Sequence, residues 1–262
     1  MQWTPKNTIP AAFFEQLRIS DRSDLMLDYD GTLAPFHTER HLALPYPGVV
    51  PLLERILDTK RTRVVIVTGR SIADLQPLLH PLRAVEMWGS HGIEHLFADG
   101  SYVLSKITPE TSAFLSDAVT QLTTAGLADR TETKPGGVAV HWRGLMPAET
   151  QEIYTRTHQC LRPFLHHEGL KLLEFDGGVE LRASHPHKGD AVTEILRGSD
   201  AHSPVAYLGD DHTDEAAFRA LSSRGISVLV RAEYRRTNAR FWLRPSAELI
   251  QFLTQWRDCV GG

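Results

Sequence analysis

The chain has 262 residues, enough for one large domain or two small ones. Apolar residues at 42% and charged residues at 23% place it among globular chains and argue against disorder. Twenty-eight basic against 32 acidic side chains leave a net charge of −4, so nucleic acid is not an expected partner.

No run reaches the ~18 apolar residues of a membrane span. Met1 to Gln16 lacks the apolar core of a signal peptide. A cytoplasmic protein without membrane contact is therefore expected. Two cysteines, Cys160 and Cys259, cannot build a disulfide scaffold and do not suggest a zinc cluster.

The first strong segment, Asp24 to Leu27, is a short apolar strand that runs into Asp28-Tyr29-Asp30-Gly31-Thr32. Gly48 to Asp58 has the spacing of an amphipathic helix, with Pro51 in its first turn. Arg63 to Val67 is a β-branched run that reads as a strand buried on both faces, ending at Thr68-Gly69-Arg70. Ser71 caps a helix predicted to reach Leu79. Val85 to Gly92 gives another strand and turn. Alternating strands and helices predict a parallel sheet with crossover helices.

The middle of the chain changes rhythm. Helices are predicted over Pro109 to Leu127 and Pro147 to Phe164. Each precedes a hairpin, the first turning at Pro135-Gly136-Gly137 and the second at Asp176-Gly177-Gly178. That order describes an α+β insert. The α/β rhythm resumes with a helix after Lys188, the strand Val205 to Gly209, a helix from Ala216, the strand Ile226 to Val230 and a final helix opened by Ser246. The expected divisions are 1–105, 106–185 and 186–262.

Reactive groups collect where strands end, which in an α/β sheet is where ligands bind. In an extended chain Asp28 and Asp30 point the same way. Two close carboxylates repel unless a cation or a shared proton lies between them. A hard divalent cation, Mg²⁺ first, suits such oxygen ligands. It would leave one Asp ionised as a nucleophile while the other shuttles a proton. Thr68 and Gly69 offer a hydroxyl and turn amides to phosphate oxygens. Lys188 beside a helix N-terminus makes an anion site. The run Gly209 to Glu215 crowds four acids, a concentration that a bound cation relieves. Taken singly, each has a plainer reading: an Asx turn, a capped turn, a surface Lys or a solvated acidic loop.

Their order removes that ambiguity. Asp-x-Asp-Gly-Thr, a strand-end Thr, a Lys and Gly-Asp-Asp together resemble the haloacid dehalogenase-like phosphohydrolase superfamily. The resemblance implies a Rossmann-like parallel-sheet core with an inserted C2B-type cap. It implies Asp28 as nucleophile, Asp30 as general acid and base, and Thr68, Gly69 and Lys188 on the phosphoryl group. Mg²⁺ would rest on Asp28, the main-chain carbonyl of Asp30, and Asp210, with Asp211 and Asp214 in or beside its shell.

Further segments resemble trehalose-6-phosphate phosphatases. These are Gly209-Asp210-Asp211-His212-Thr213-Asp214-Glu215, Gly89-Ser90-His91-Gly92-Ile93-Glu94, Glu132-Thr133-Lys134 with His141-Trp142-Arg143, and Val179-Glu180-Leu181. This resemblance implies that Glu132, Lys134 and Glu180 hold sugar hydroxyls, with His141 and Arg143 supporting the cap face or approaching the phosphate side; His91, at a core strand end, is expected to line the site. Trp142 stands where that family commonly has Tyr. It is the one Trp expected to face a sugar; Trp3, Trp88, Trp242 and Trp256 are expected in the core. His166, His167, His185 and His187 read as surface residues, and Arg231, Arg235, Arg236 and Arg240 as an exposed basic face.

The expected activity is hydrolysis of trehalose 6-phosphate by a monomer or weak dimer. Two alternatives stay open: a phosphatase for another glycosyl phosphate, such as glucosylglycerol phosphate or sucrose phosphate, and a catalytically silent sugar-phosphate sensor. A nucleotide-binding dehydrogenase is excluded, since no Gly-x-Gly-x-x-Gly follows the first strand.

Overall fold

A computed structural model describes residues 8–261 other than Asp176 and Ser223. Trp3 and the Asp176 position of the second hairpin turn lie outside the described residues. The chain forms two compact units: Met1–Val103 together with His187–Gly262, and Leu104–Pro186.

The first unit is built on an eight-stranded sheet. Its strands are β1 (Ser23–Leu27), β2 (Thr62–Val67), β3 (Glu86–Gly89), β4 (Glu94–Leu96), β5 (Tyr102–Leu104), β10 (Val205–Gly209), β11 (Ile226–Val230) and β12 (Phe241–Leu243). Their order across the sheet is β12-β11-β10-β1-β2-β3-β4-β5. The run from β12 to β3 is parallel, and β4 turns back antiparallel to β3.

Alternation sorts the side chains of these strands onto two faces. Leu25, Leu27, Val64, Ile66, Ala206 and Leu208 join one core. There they meet the helices α1 (Ala11–Ile19), α2 (Val49–Asp58) and α8 (Ala247–Val260). Met26, Val65, Val67, Val205 and Tyr207 join the opposite core, under α6 (Lys188–Arg197) and α7 (Glu215–Leu221). Burial on both faces explains the unbroken apolar runs of β1, β2 and β10.

The sequence successively fills β1, β2 and β3 on one side of β1, then returns to place β10 on its other side. The chain thus reverses direction at the β1–β10 pair. Crevices open at such switch points, beyond the carboxyl ends of the strands.

Several expected elements differ in the structure. The helix after Ser71 is α3 (Ile72–Leu75), capped by Ser71 Oγ on Asp74 N, and it tightens into a 3₁₀ turn over Gln76–Leu79. Pro77 lies in that turn, where its ring cannot supply an α-helical N–H. Helix α1 and strands β4, β5 and β12 were not expected. The three strands have three residues each, too few to show a period.

At the amino edge of the sheet, buried Glu86 accepts four hydrogen bonds. Arg63 Nε lies at 2.7 Å, Arg63 Nη2 at 2.8 Å, Trp88 Nε1 at 3.2 Å and His95 Nε2 at 2.8 Å. Burial works against the ionised form, but the bonds from His95 and Arg63 outweigh it and hold the carboxyl down at about 2. A depressed carboxylate adds stability above its unfolded value of 4.5 and loses it as pH falls toward about 2. Glu86→Gln should therefore cost about 2–3 kcal/mol at neutral pH. The deficit should shrink as pH falls through that window. Urea denaturation at pH 7 and pH 3 checks this, and an equal deficit at both pH values contradicts it.

The second unit holds a four-stranded antiparallel sheet ordered β6-β7-β9-β8: β6 (Thr131–Lys134), β7 (Gly137–His141), β9 (Gly178–Ala183) and β8 (Leu170–Phe175). Val138, Val140, Val179 and Leu181 pack with the helices α4 (Pro109–Thr124) and α5 (Pro147–Leu161) in a core of their own. The other face is polar, as expected of an antiparallel sheet covered on one side. Trp142 packs against the apolar core, 5.6 Å from the Tyr154 ring, so its position corrects the expectation that it faces a sugar. Its indole fits the apolar helix side better than the charged face.

Candidate active site

Strand β1 ends at Leu27, and Asp28 follows with its N–H on Leu208 O at 2.9 Å. That bond places Asp28 beside the end of β10, where Asp210 begins the next loop. Lys188, the first residue of α6, is also buried here. Its Nζ lies 2.7 Å from Asp28 Oδ1 and 2.8 Å from Asp214 Oδ1. Asp28, Asp210 and Asp214 offer carboxylate oxygens within 4.8 Å of one another.

Asp214 is fully engaged. Its Oδ1 accepts from Lys188 and from Tyr207 OH at 2.6 Å, and its Oδ2 from the N–H groups of Asp210 and Asp211 at 3.1 and 2.9 Å. Asp210 is the opposite case. It is 2% exposed, and its Oδ1 has no hydrogen-bond partner. Burial raises its carboxyl well above the usual range, and Asp28 and Asp214 add to the shift. Burial likewise pushes Asp28 up, with Asp214 adding and Lys188 opposing. For Lys188 burial disfavours the charge, but Asp214 and Asp28 outweigh it and raise its value. Lys188 thus pairs with two of three buried carboxylates, and the third, Asp210, has only the partly exposed Arg231 Nη1 at 3.9 Å from its Oδ2.

This donor set fits a hard divalent cation: all oxygen, excess negative charge and an orphaned acceptor on Asp210. Two glycines keep the space open. A Cβ on Gly31, whose φ is +80°, would lie 2.2 Å from Asp210 Oδ2. A Cβ on Gly209 would lie 2.4 Å from Asp214 Cγ.

Asp30 departs from the expected arrangement. Its carboxylate does not join that of Asp28. Arg70 holds it in a two-pronged pair, Nε to Oδ2 at 2.7 Å and Nη2 to Oδ1 at 2.6 Å. The strand alternation behind the expectation stops at Leu27, because Tyr29 O already accepts the turn amides of Thr32, Leu33 and Ala34. Asp211 also stands outside the carboxylate group, its N–H turned to Asp214.

Thr68 follows β2 and is buried, its Oγ1 accepting from Arg70 N at 3.1 Å. His91 N donates to Thr68 O at 2.9 Å. The His91 ring lies over Gly69, where a Cβ would come within 2.6 Å of Cε1. Ser90 and His91 both have positive φ. Buried Glu94 anchors that strained turn through Ser90 Oγ at 2.5 Å and Ile72 N at 3.3 Å.

In the second unit, pairing aligns Glu132, Ala139 and Glu180 across three strands. Lys134 Nζ lies 3.1 Å from Glu180 Oε1, and His141 Nε2 lies 2.8 Å from Glu132 Oε2. The polar face thus gathers the three expected sugar ligands and His141. Arg143 lies past the end of β7, against Gly177.

Arg70 and Tyr207 carry no expected role. Arg70 adjoins Thr68-Gly69, and Tyr207 is a hydroxyl inside an apolar strand, which is a legible signal. Arg235 corrects the expectation of an exposed face. Its side chain is 14% exposed and bonds the acidic loop. His187 is likewise more than a surface residue, since its Nδ1 caps α6 on Asp190 N at 3.1 Å.

A family model described as trehalose-phosphatase matches residues 26–246. The chain belongs to the trehalose-phosphatase family. A trehalose-phosphate phosphatase of Mycobacterium avium is 31% identical over 258 residues, covering 89% of this chain and 62% of that protein. An uncharacterized glycosyl hydrolase of Mycobacterium tuberculosis is 29% identical over 274 residues, covering 95% of this chain but only 20% of that protein. The chain therefore spans a fifth to about three fifths of these relatives. In fold it is similar to the C-terminal domain of the C. albicans trehalose-6-phosphate phosphatase, with a TM-score of 0.79 at 19% identity and 99% of both chains covered. No helix among the described residues is long and apolar enough to cross a membrane.

Proposed function

We propose that this member of the trehalose-phosphatase family is a phosphoric monoester hydrolase that converts trehalose 6-phosphate to trehalose and phosphate. The observation that carries this reading is the buried group of Asp28, Asp210, Asp214 and Lys188 at the switch point.

Asp28 attacks phosphorus in line. An Asp28 oxygen–phosphorus bond forms as the bond to the sugar oxygen breaks. Asp30, released from its Arg70 pair and carrying a proton taken up from solvent, gives that proton to the leaving sugar oxygen. Asp30 then takes a proton from water, whose oxygen attacks phosphorus and returns Asp28 as a carboxylate. Lys188, Thr68 and the Gly69 amide hold phosphoryl oxygens. Asp28, Asp210 and the Asp30 carbonyl would hold Mg²⁺, which supplies charge neutralisation to the phosphoryl group when bound. Asp30 leaves its Arg70 pair to serve the leaving oxygen.

Glu132, Lys134, His141 and Glu180 suit sugar hydroxyls, because charged groups that need partners discriminate strongly against ligands lacking them. The test is phosphate release with Mg²⁺ from trehalose 6-phosphate, glucose 6-phosphate, sucrose 6-phosphate and glucosylglycerol phosphate. Trehalose 6-phosphate should lead glucose 6-phosphate by at least about a hundredfold in kcat/KM. A different leader overturns the sugar assignment. Binding of every member without phosphate release overturns the enzyme reading in favour of a sensor.

A further inference from the structure

We propose that Arg235 is a positioning residue for the divalent-cation site, holding the backbone that aims Asp210. This rests on the reading of Asp210 as a metal ligand.

Strand β10 ends at Gly209, so the Asp210 carbonyl has no ladder partner, while Asp211 O accepts Asp214 N at 3.0 Å. Arg235 donates to both. Its Nε donates to Asp210 O at 3.0 Å and its Nη2 to Asp211 O at 2.6 Å. From the other direction, Asp214 Oδ2 accepts the N–H groups of the same two residues. Residues 210 and 211 are therefore gripped at both donors and both acceptors. The Asp210 side chain between these grips keeps an unpartnered oxygen. Its other oxygen, Oδ2, has only Arg231 Nη1 at 3.9 Å, beyond hydrogen-bond reach, so the two backbone grips carry most of its direction.

The guanidinium is itself held. Arg235 Nη1 donates to Glu215 Oε1 at 2.5 Å and to Arg236 O at 3.0 Å. Glu215 Oε2 accepts from Asn238 N at 2.7 Å and Asn238 Nδ2 at 2.8 Å. The fork cannot be replaced by a point charge, because two divergent N–H groups must meet two successive carbonyls. Arg231 reaches the same Asp210 carbonyl only at 3.5 Å and is far more exposed.

The experiment measures Mn²⁺ binding to the full chain by the loss of the free-ion electron paramagnetic resonance signal, with no substrate present. The wild type should bind saturably and Asp210→Asn should not. Arg235→Lys and Arg235→Gln should each bind about tenfold more weakly, the range for partners that orient a metal ligand. Their phosphatase activity should recover as Mn²⁺ or Mg²⁺ is raised. A purely structural role would lower the melting temperature and leave Mn²⁺ affinity of the folded protein unchanged. Affinity within twofold of wild type in both variants overturns the proposal. Absence of saturable binding by the wild type, or equal binding by Asp210→Asn, overturns the underlying site reading. If either Arg235 variant does not fold, Glu215→Gln replaces it. This variant weakens the anchor of the fork, and a weaker Mn²⁺ affinity supports the proposal while an unchanged one overturns it.

Discussion

Asp28→Asn should lower phosphate release from trehalose 6-phosphate by at least about four orders of magnitude, the scale seen when a nucleophile acting within a concerted group is removed. The amide keeps the shape of the side chain and an oxygen for Lys188, which lies 2.7 Å from Asp28 Oδ1. It removes one of three buried like charges. The melting temperature should therefore hold or rise while turnover collapses. Steady-state phosphate release and thermal unfolding on one preparation check both halves. Turnover above about a hundredth of wild type would show that Asp28 is not the nucleophile.

Lys188→Met should have the largest effect on stability. The thioether fills much of the same space but leaves Asp28 and Asp214 without their shared cation. Removing one partner of a buried ionic group costs about 3–5 kcal/mol. For a chain of this size that corresponds to a fall of about 10 °C in melting temperature. A divalent ion should restore more stability to this variant than it adds to the wild type, because ligand binding to the native state alone stabilises it. Differential scanning calorimetry with and without Mg²⁺ measures both effects. A variant that melts within 2 °C of the wild type contradicts this account of the centre.

The strand ends were legible in the sequence because each apolar run stops at a charged or hydroxylated residue. Leu27 gives way to Asp28, Val67 to Thr68 and Gly209 to Asp210. Burial on both faces leaves no polar residue to blur such runs, so their limits are sharp. The polar face of the second unit was legible in its residues, through Glu132, Lys134 and Glu180, and in its two hairpins, though not in the β7–β9 pairing that joins them. Contacts between distant segments were not legible in local spacing; only the family resemblance gathered Lys188 and Asp28 at one phosphoryl group. Lys188 meets Asp28 across 160 residues, and Arg70 meets Asp30 across 40. Local spacing carries no trace of either. Arg235 was misread because its segment has no regular element whose faces could be assigned. Strands β4, β5 and β12 escaped because three residues cannot establish alternation.

The position of β10 between β1 and β11 also bears on how the molecule is made. When residues up to Val103 have left the ribosome, β1 can pair with β2 but still has a bare edge toward the missing β10. Such an edge invites pairing with other chains. The intervening Leu104–Pro186 unit builds its sheet from two hairpins with short turns, joined across α5 and β8, and has its own apolar core. It can therefore form before the sheet is complete, whereas β10 must close a loop of more than 170 residues in the parallel sense. Long-range parallel pairing is slow. Asp210, Asp214 and Lys188 all arrive with that late segment, so the nascent chain carries no assembled carboxylate centre until its sheet is sealed.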